Sequence, residues 1–295
     1  MLNNLVFLAS SSTNTNVFPE WVKMLLQFIW VPIIIPILFF IAKKLFRNAL
    51  VVKEIKKKTD KDIAGFVSLY KKRIKESMRI DSEEILAFIN RKNKTNVDHH
   101  LYVCKHDGKV VGFVKFMISK SRKGMFIAYI AVDHEDQQAN KVGVQKLLKK
   151  MLRKYFKPRY ASYIITEIEQ GERGNYNTSL AKTIMRYASS NKFDAYYIDA
   201  PYIQPRMPGE NSNITSEDFM SLIYIPFFKP DNSVISKNDY IGIIEFIYLD
   251  VYGPSCNEVV CDCGAYNDYL YQLINDYRSE KKDYIKIIRL GERRI

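Results

Sequence analysis

Glycine and proline are scarce, at 12 and 10 of 295 residues, which excludes collagen-like repeats and long flexible linkers. Cysteine is scarcer still. Cys104, Cys256, Cys261 and Cys263 are too few and too uneven for a disulfide framework in a chain of this length. The last three form a C-x4-C-x-C cluster that lacks a fourth ligand at zinc spacing, so unliganded thiols are expected there. His99, His100, His106 and His134 show no metal spacing either, and no metal is expected. Long apolar runs are limited to one, near the N-terminus, which excludes a polytopic membrane protein. What is present suits a folded chain: 47% apolar and 26% charged residues, with 20 Tyr and 17 Phe to fill a core.

Basic residues outnumber acidic ones by 45 to 32, a formal charge of +13, which favours anionic partners. The excess is local. Residues 141–160 hold Lys141, Lys146, Lys149, Lys150, Arg153, Lys154, Lys157 and Arg159 with no acidic residue. Residues 43–62 hold eight basic and three acidic residues. A solvated helix face, coenzyme phosphates and anionic lipid are all compatible with the first cluster. Nucleic acid is disfavoured, because that segment has no interleaved aromatics and belongs to no nucleic-acid module.

The apolar run, residues 24–42, is uncharged and nineteen residues long, about 28 Å as a helix against a hydrocarbon core of roughly 30 Å. Lys43, Lys44, Arg47 and Lys53 follow it, while only Glu20 and Lys23 stand close before it. The positive-inside rule then predicts a single-pass anchor, with a short polar tail (1–23) outside and the following domain facing the cytosol. A buried core helix is the competing reading.

Beyond the run, residues 49–59 read as a strand, and two helices follow near Ile63–Ile74 and after Ser82. Three strands come next: Leu101–His106, Lys109–Ile118 and Met125–Val132. The first two are joined by Asp107-Gly108, a strong hairpin signal. Met125–Val132 is almost continuously apolar, as in a central strand covered on both faces. A polar stretch leads into a helix expected over Val142–Phe156, then a strand (Ala161–Glu169), a helix (about Thr178–Ser189) and two strands near Tyr196–Ala200 and Phe219–Ile225. Helices are expected at Asn238–Tyr252 and Ala265–Tyr277. The order predicts an α/β fold with a mixed sheet rather than a doubly wound one, and a C-terminal helical extension over 229–295.

Two motifs carry a resemblance. After the apolar strand, Gln138-Ala139-Asn140-Lys141-Val142-Gly143 has Gln and Gly at the ends of a Gln-x-x-Gly-x-Gly pattern, with Lys141 at the first Gly. Later, Tyr202-Ile203-Gln204-Pro205 ends a strand before a loop and another strand. In this order of elements, residues 43–228 resemble the GNAT superfamily of acetyl-CoA-dependent N-acetyltransferases. The resemblance implies acetyl-CoA as co-substrate, its pantetheine arm along Ala128–Val132 nearest Ile130 and Val132. It places the diphosphate among Gln138, Lys141, Val142, Gly143 and Val144, with Asn177 in the next helix. Free amides at a helix N-terminus, with small residues beside them, supply the physical need. A backbone N–H near Val132 would stabilise the oxyanion.

The resemblance further implies direct attack by a primary amine, which needs a proton acceptor and a donor for the departing thiolate. Glu167 and Glu169 share one face of their strand, and either could accept the amine proton; otherwise they are a solvated acidic strand end. Tyr187 is the candidate thiolate donor or else a core residue. The functional expectation is a membrane-anchored N-acetyltransferase with an unspecified amine acceptor. The alternative is a catalytically inactive GNAT-fold binding or scaffold protein at a membrane surface.

Overall fold

In the computed structural model the described residues are 35–38, 49–76, 80–89, 96–169, 179–190, 193–205, 220–255 and 262–290. The chain divides into two units, 1–49 and 50–295. Of the first, Ile35 to Leu38 are helical and exposed; the rest of the predicted anchor lies outside the described residues. Among the described residues no helix is long and apolar enough to cross a membrane.

The second unit is built on one nine-stranded sheet in the order β1-β2-β3-β4-β5-β7-β6-β9-β8. β1 (Val51–Ile55), β2 (Val97–His106), β3 (Lys109–Ser119) and β4 (Gly124–Val132) pair antiparallel in succession. The β2–β3 turn places Asp107 at φ 48° and Gly108 at φ 81°. Two positive φ values suit the right-handed twist of a two-residue hairpin, and the Asp-Gly pair tolerates them. β4 and β5 (Tyr163–Glu169) are parallel, which makes the sheet mixed, as the order of elements predicts. β6 (Tyr196–Ile198) and β7 (Met220–Pro226) complete the expected strands.

Helices cover both faces. α3 (Gln137–Tyr155) buries Leu147, Leu148, Met151 and Leu152 against one face, beside α4 (Ser179–Ser190). On the other, α1 (Ile63–Arg73) and α2 (Ser82–Ile89) cover the β1–β4 half through Phe66, Tyr70 and Ile85. The β5–β9 half is covered by α5 (Lys237–Glu245), a π-helical stretch over Phe246–Tyr252, and α6 (Cys263–Ser279). Each apolar stripe matches its helical period, so removal of these side chains from water drives the layering.

The sequence expectations need three corrections. α3 begins at Gln137, five residues before Val142, because the Asp136 side chain caps it by accepting from the Ala139 N–H at 2.7 Å. The C-terminal region is not wholly helical. Val234–Ser236 forms β8 and Tyr284–Arg289 forms β9, which lies between β6 and β8. β9 alternates with period two, Ile285 and Ile287 buried between exposed Tyr284 and Lys286, a pattern too short to stand out from the charged residues around it. Finally, Cys263 is disulfide-bonded rather than a free thiol, whereas Cys104 is a buried free thiol. No group of metal-binding side chains occurs among the described residues.

Candidate active site

The sheet comes apart at its parallel pair. The β4–β5 ladder runs from Gly124 opposite Tyr163 to Ile127 opposite Thr166 and stops. Beyond that point β4 stays with β3 as far as Val132, and β5 stays with β7 as far as Glu169. The cause is one residue. Lys115 faces Tyr129 and Phe116 faces Ile127, so Ala128 has no opposite number on β3 and bulges. A bulge bends its strand and sharpens the twist, which turns the second half of β4 away from β5. Thr166 marks the last rung, its hydroxyl donating to the Ile127 carbonyl at 2.9 Å. Exposure changes at the same place: Gly124 to Ile127 are buried, whereas Ala128 to Ala131 are partly exposed. The result is an open edge inside a sheet, able to take an extended segment by backbone hydrogen bonds. Ile130 and Val132, the residues expected along a pantetheine arm, lie on that edge.

Glu167 stands one residue past the last rung. Its carboxylate accepts from the Tyr202 hydroxyl, from the Tyr252 hydroxyl at 2.8 and 3.1 Å, and from Gln204 Nε2 at 3.3 Å. Gln204 also donates to the Tyr252 oxygen at 2.8 Å. The segment holding Tyr202 and Gln204 is itself pinned. The Ile203 N–H donates to Tyr277 at 2.9 Å, and the Ile203 carbonyl accepts from Tyr248 at 2.6 Å. Burial pushes the Glu167 carboxyl up to about 7, outweighing the opposing pull of the Tyr202 and Tyr252 hydroxyls. Burial and the Glu167 charge raise both phenols well above their ordinary value, so they remain protonated donors. A carboxyl poised near neutrality at the mouth of an open strand edge has the properties of a general base.

The Tyr-x-Gln-Pro motif and Glu167, far apart in sequence, thus converge. Tyr252 is a partner that sequence reading missed. It closes the π-helical stretch, a geometry frequent at functional sites, but among 20 tyrosines nothing distinguishes it. Tyr129, just past the bulge, was missed as well; its ring stands 5.3 Å from that of Tyr70. Tyr187 is not brought to Glu167. It is buried with Ile168 and Ile184 on the α3–α4 face, whereas Glu167 faces the tyrosines opposite. Glu169 ends β5 opposite Met220, and its side chain lies outside the described residues, as does Asn177.

At the start of α3, Gln138 and Lys141 are helical rather than part of the polar stretch before the helix, and Val142, Gly143 and Val144 are helical as expected. Lys141 is exposed, and Val142 and Val144 pack against the α3-side core. Gly143 has a packing reason: a Cβ there would lie 2.9 Å from Val132 Cγ1. The Asp136 carboxylate occupies the helix start. It accepts from Ala139 N–H and meets His106 Nδ1 at 2.6 Å. Burial alone would raise its pKa, but these partners hold it below the ordinary value. An extended arm would fit the open strand edge, while the helix start where a diphosphate was expected from the sequence already carries the Asp136 anion. The loop before it is tied to α1 by Arg73–Asp133 at 2.5 Å and Lys72–Glu135 at 2.8 Å.

No protein-family model matches the sequence, and no curated protein matches it. Solved structures do. An acetyltransferase of the GNAT family from Bacteroides thetaiotaomicron is 16% identical, with a TM-score of 0.44, over 69% of this chain and 98% of that one. An acetyltransferase from Salmonella typhimurium, solved with acetyl-CoA, is 17% identical, with a TM-score of 0.40, over 62% of this chain and 99% of that one. The catalytic domain of a Tetrahymena histone acetyltransferase, solved with coenzyme A, is 16% identical, with a TM-score of 0.36, over 62% and 96% of the two chains.

Proposed function

We propose that this protein is a coenzyme A thioester-dependent N-acyltransferase that transfers an acetyl group from acetyl-CoA to a primary amine. The observation that carries this is the opening of the β4–β5 ladder after Ile127 with Glu167 beside it. The thioester arm adds to Ala128–Val132 as an extra strand. Glu167 takes a proton from the incoming ammonium, the free amine forms a C–N bond to the thioester carbon, and the C–S bond breaks. A backbone N–H near Val132 meets the oxyanion, the second N–H proton leaves the nitrogen as the adduct collapses, and Tyr187 is the candidate relay that passes it to the departing thiolate. Gln138, Lys141, Val142, Gly143, Val144 and Asn177 remain the candidates around the coenzyme phosphates, and Glu169 the second candidate base.

The test is a thermal-shift titration of the full chain with acetyl-CoA, followed by thiol release with a panel of amines. Saturable stabilisation together with amine-dependent thiol release supports the reading. Absence of both refutes it.

Asp136 favours a second reading, a GNAT-fold binding protein without turnover, since a carboxylate at the helix start opposes a diphosphate. Absence of both coenzyme binding and thiol release would select it. Anchoring through residues 24–42, with the domain facing the cytosol, belongs to the same proposal. Protease protection in sealed vesicles decides between the two sides.

A further inference from the structure

A cavity of about 780 Å³ opens between β1, the turn after it and the outer face of α3. It is remote from the coenzyme corner. Lys150 and Lys154, which line it, stand thirteen and seventeen residues beyond Gln137, or about 20 and 25 Å along the helix.

Its lining holds five lysines, Lys53, Lys56, Lys57, Lys150 and Lys154, against two carboxylates, Glu54 and Asp60. Both carboxylates are already matched. Asp60 accepts from Lys53 at 2.8 Å, and Glu54 meets Lys154 at 3.0 Å and His100 at 2.9 Å. Lys56, Lys57 and Lys150 are exposed and have no acidic partner within 4.0 Å among the described residues. Three unneutralised ammonium groups around one concavity favour a compact anion of high charge. Ammonium groups bind phosphate as point charges, whereas planar carboxylate recognition favours Arg, and no Arg lines this cavity. The volume suits a small ligand. Its lone aromatic, Tyr102, is 1% exposed, which leaves no platform on which bases of a nucleic acid could stack.

We propose that this cavity binds a compact ligand carrying two or more phosphate groups, independently of the coenzyme site. The phosphates would belong either to a soluble polyphosphate or to a phosphorylated lipid headgroup.

The test is calorimetric titration of the full chain with sodium tripolyphosphate. Saturable binding is expected. It should weaken at least tenfold in a Lys57→Glu, Lys150→Glu double variant and hold in Lys109→Glu, an exposed change at the β2–β3 turn. A Lys57→Gln, Lys150→Gln pair guards against misfolding and should weaken binding in the same direction. Flotation with phosphatidylcholine vesicles, with and without a phosphatidylinositol bisphosphate, separates the sources. Capture that needs the phosphorylated lipid and is lost in the double variant assigns a headgroup; tripolyphosphate binding without capture assigns a soluble ligand. No saturable tripolyphosphate binding, binding equal in the double variant, or greater sensitivity of Lys109→Glu than of the double variant overturns the proposal.

Discussion

Replacing Glu167 by Gln tests the most unusual electrostatic feature of the fold. A carboxyl raised by burial to about 7 from an ordinary 4.5 makes the native state bind a proton more tightly than the unfolded state does. Its protonated form is therefore fully tolerated below about pH 4.5, and stability falls as pH rises toward and through 7. The displacement corresponds to about 3 kcal/mol once the group is ionised in both states. Gln keeps the shape and removes the titration. It also disturbs the bonds from Tyr202, Tyr252 and Gln204, but that offset is independent of pH and cancels when the difference between the two proteins is followed across pH. Thermal melts from pH 5 to 8 should show Glu167→Gln gaining on wild type by about 6 °C, at about 2 °C per kcal/mol for a chain of this size. The same variant should lose amine-dependent thiol release by at least about a hundredfold. Parallel pH–stability curves for the two proteins would refute the assignment of a raised carboxyl.

Tyr252→Phe removes a donor that pulls Glu167 down, so the acidic limb of the kcat/KM profile should move to higher pH. The rate at pH 7 should fall by about tenfold; an unmoved limb would show the hydroxyl to be idle. Gly143→Ala pushes a Cβ to 2.9 Å from Val132 and should cost about 1–3 kcal/mol by overpacking, read as a lower melting midpoint by urea or heat. Asp136→Ala deletes the cap of α3 and should cost about 1 kcal/mol. It should tighten acetyl-CoA binding in a calorimetric titration, because the diphosphate no longer meets an anion; unchanged affinity would place the phosphates elsewhere.

Much of the framework was legible because it rests on local chemistry. The Asp107-Gly108 hairpin follows from tolerance of positive φ, and the centrality of β4 follows from its unbroken apolar run. Tyr202 and Gln204 were visible as a motif, and Glu167 as one of two carboxylates on a strand face, yet their meeting depends on pairing across the sheet. The start of α3 was misjudged because Asp136 reads as one more polar loop residue until its carboxylate is seen on the Ala139 amide. Tyr252 was invisible for a different reason: a π-helical turn leaves no signature in residue types, and it is the turn that delivers the hydroxyl.

The extra residue in β4 also changes which way its neighbours look. Before Ala128 the odd-numbered side chains, Met125 and Ile127, join the α3 core; after it the even-numbered Ile130 and Val132 do, and Tyr129 turns toward α1. Parity along a strand is fixed at two, so only an added or lost position can produce that reversal. The opening is therefore kept by arithmetic rather than by any particular side chain. Exchanging Ala128 for another small residue would preserve it, whereas excising it would restore plain alternation, with Tyr129 between Ile127 and Ile130, and let the two halves of the sheet close up.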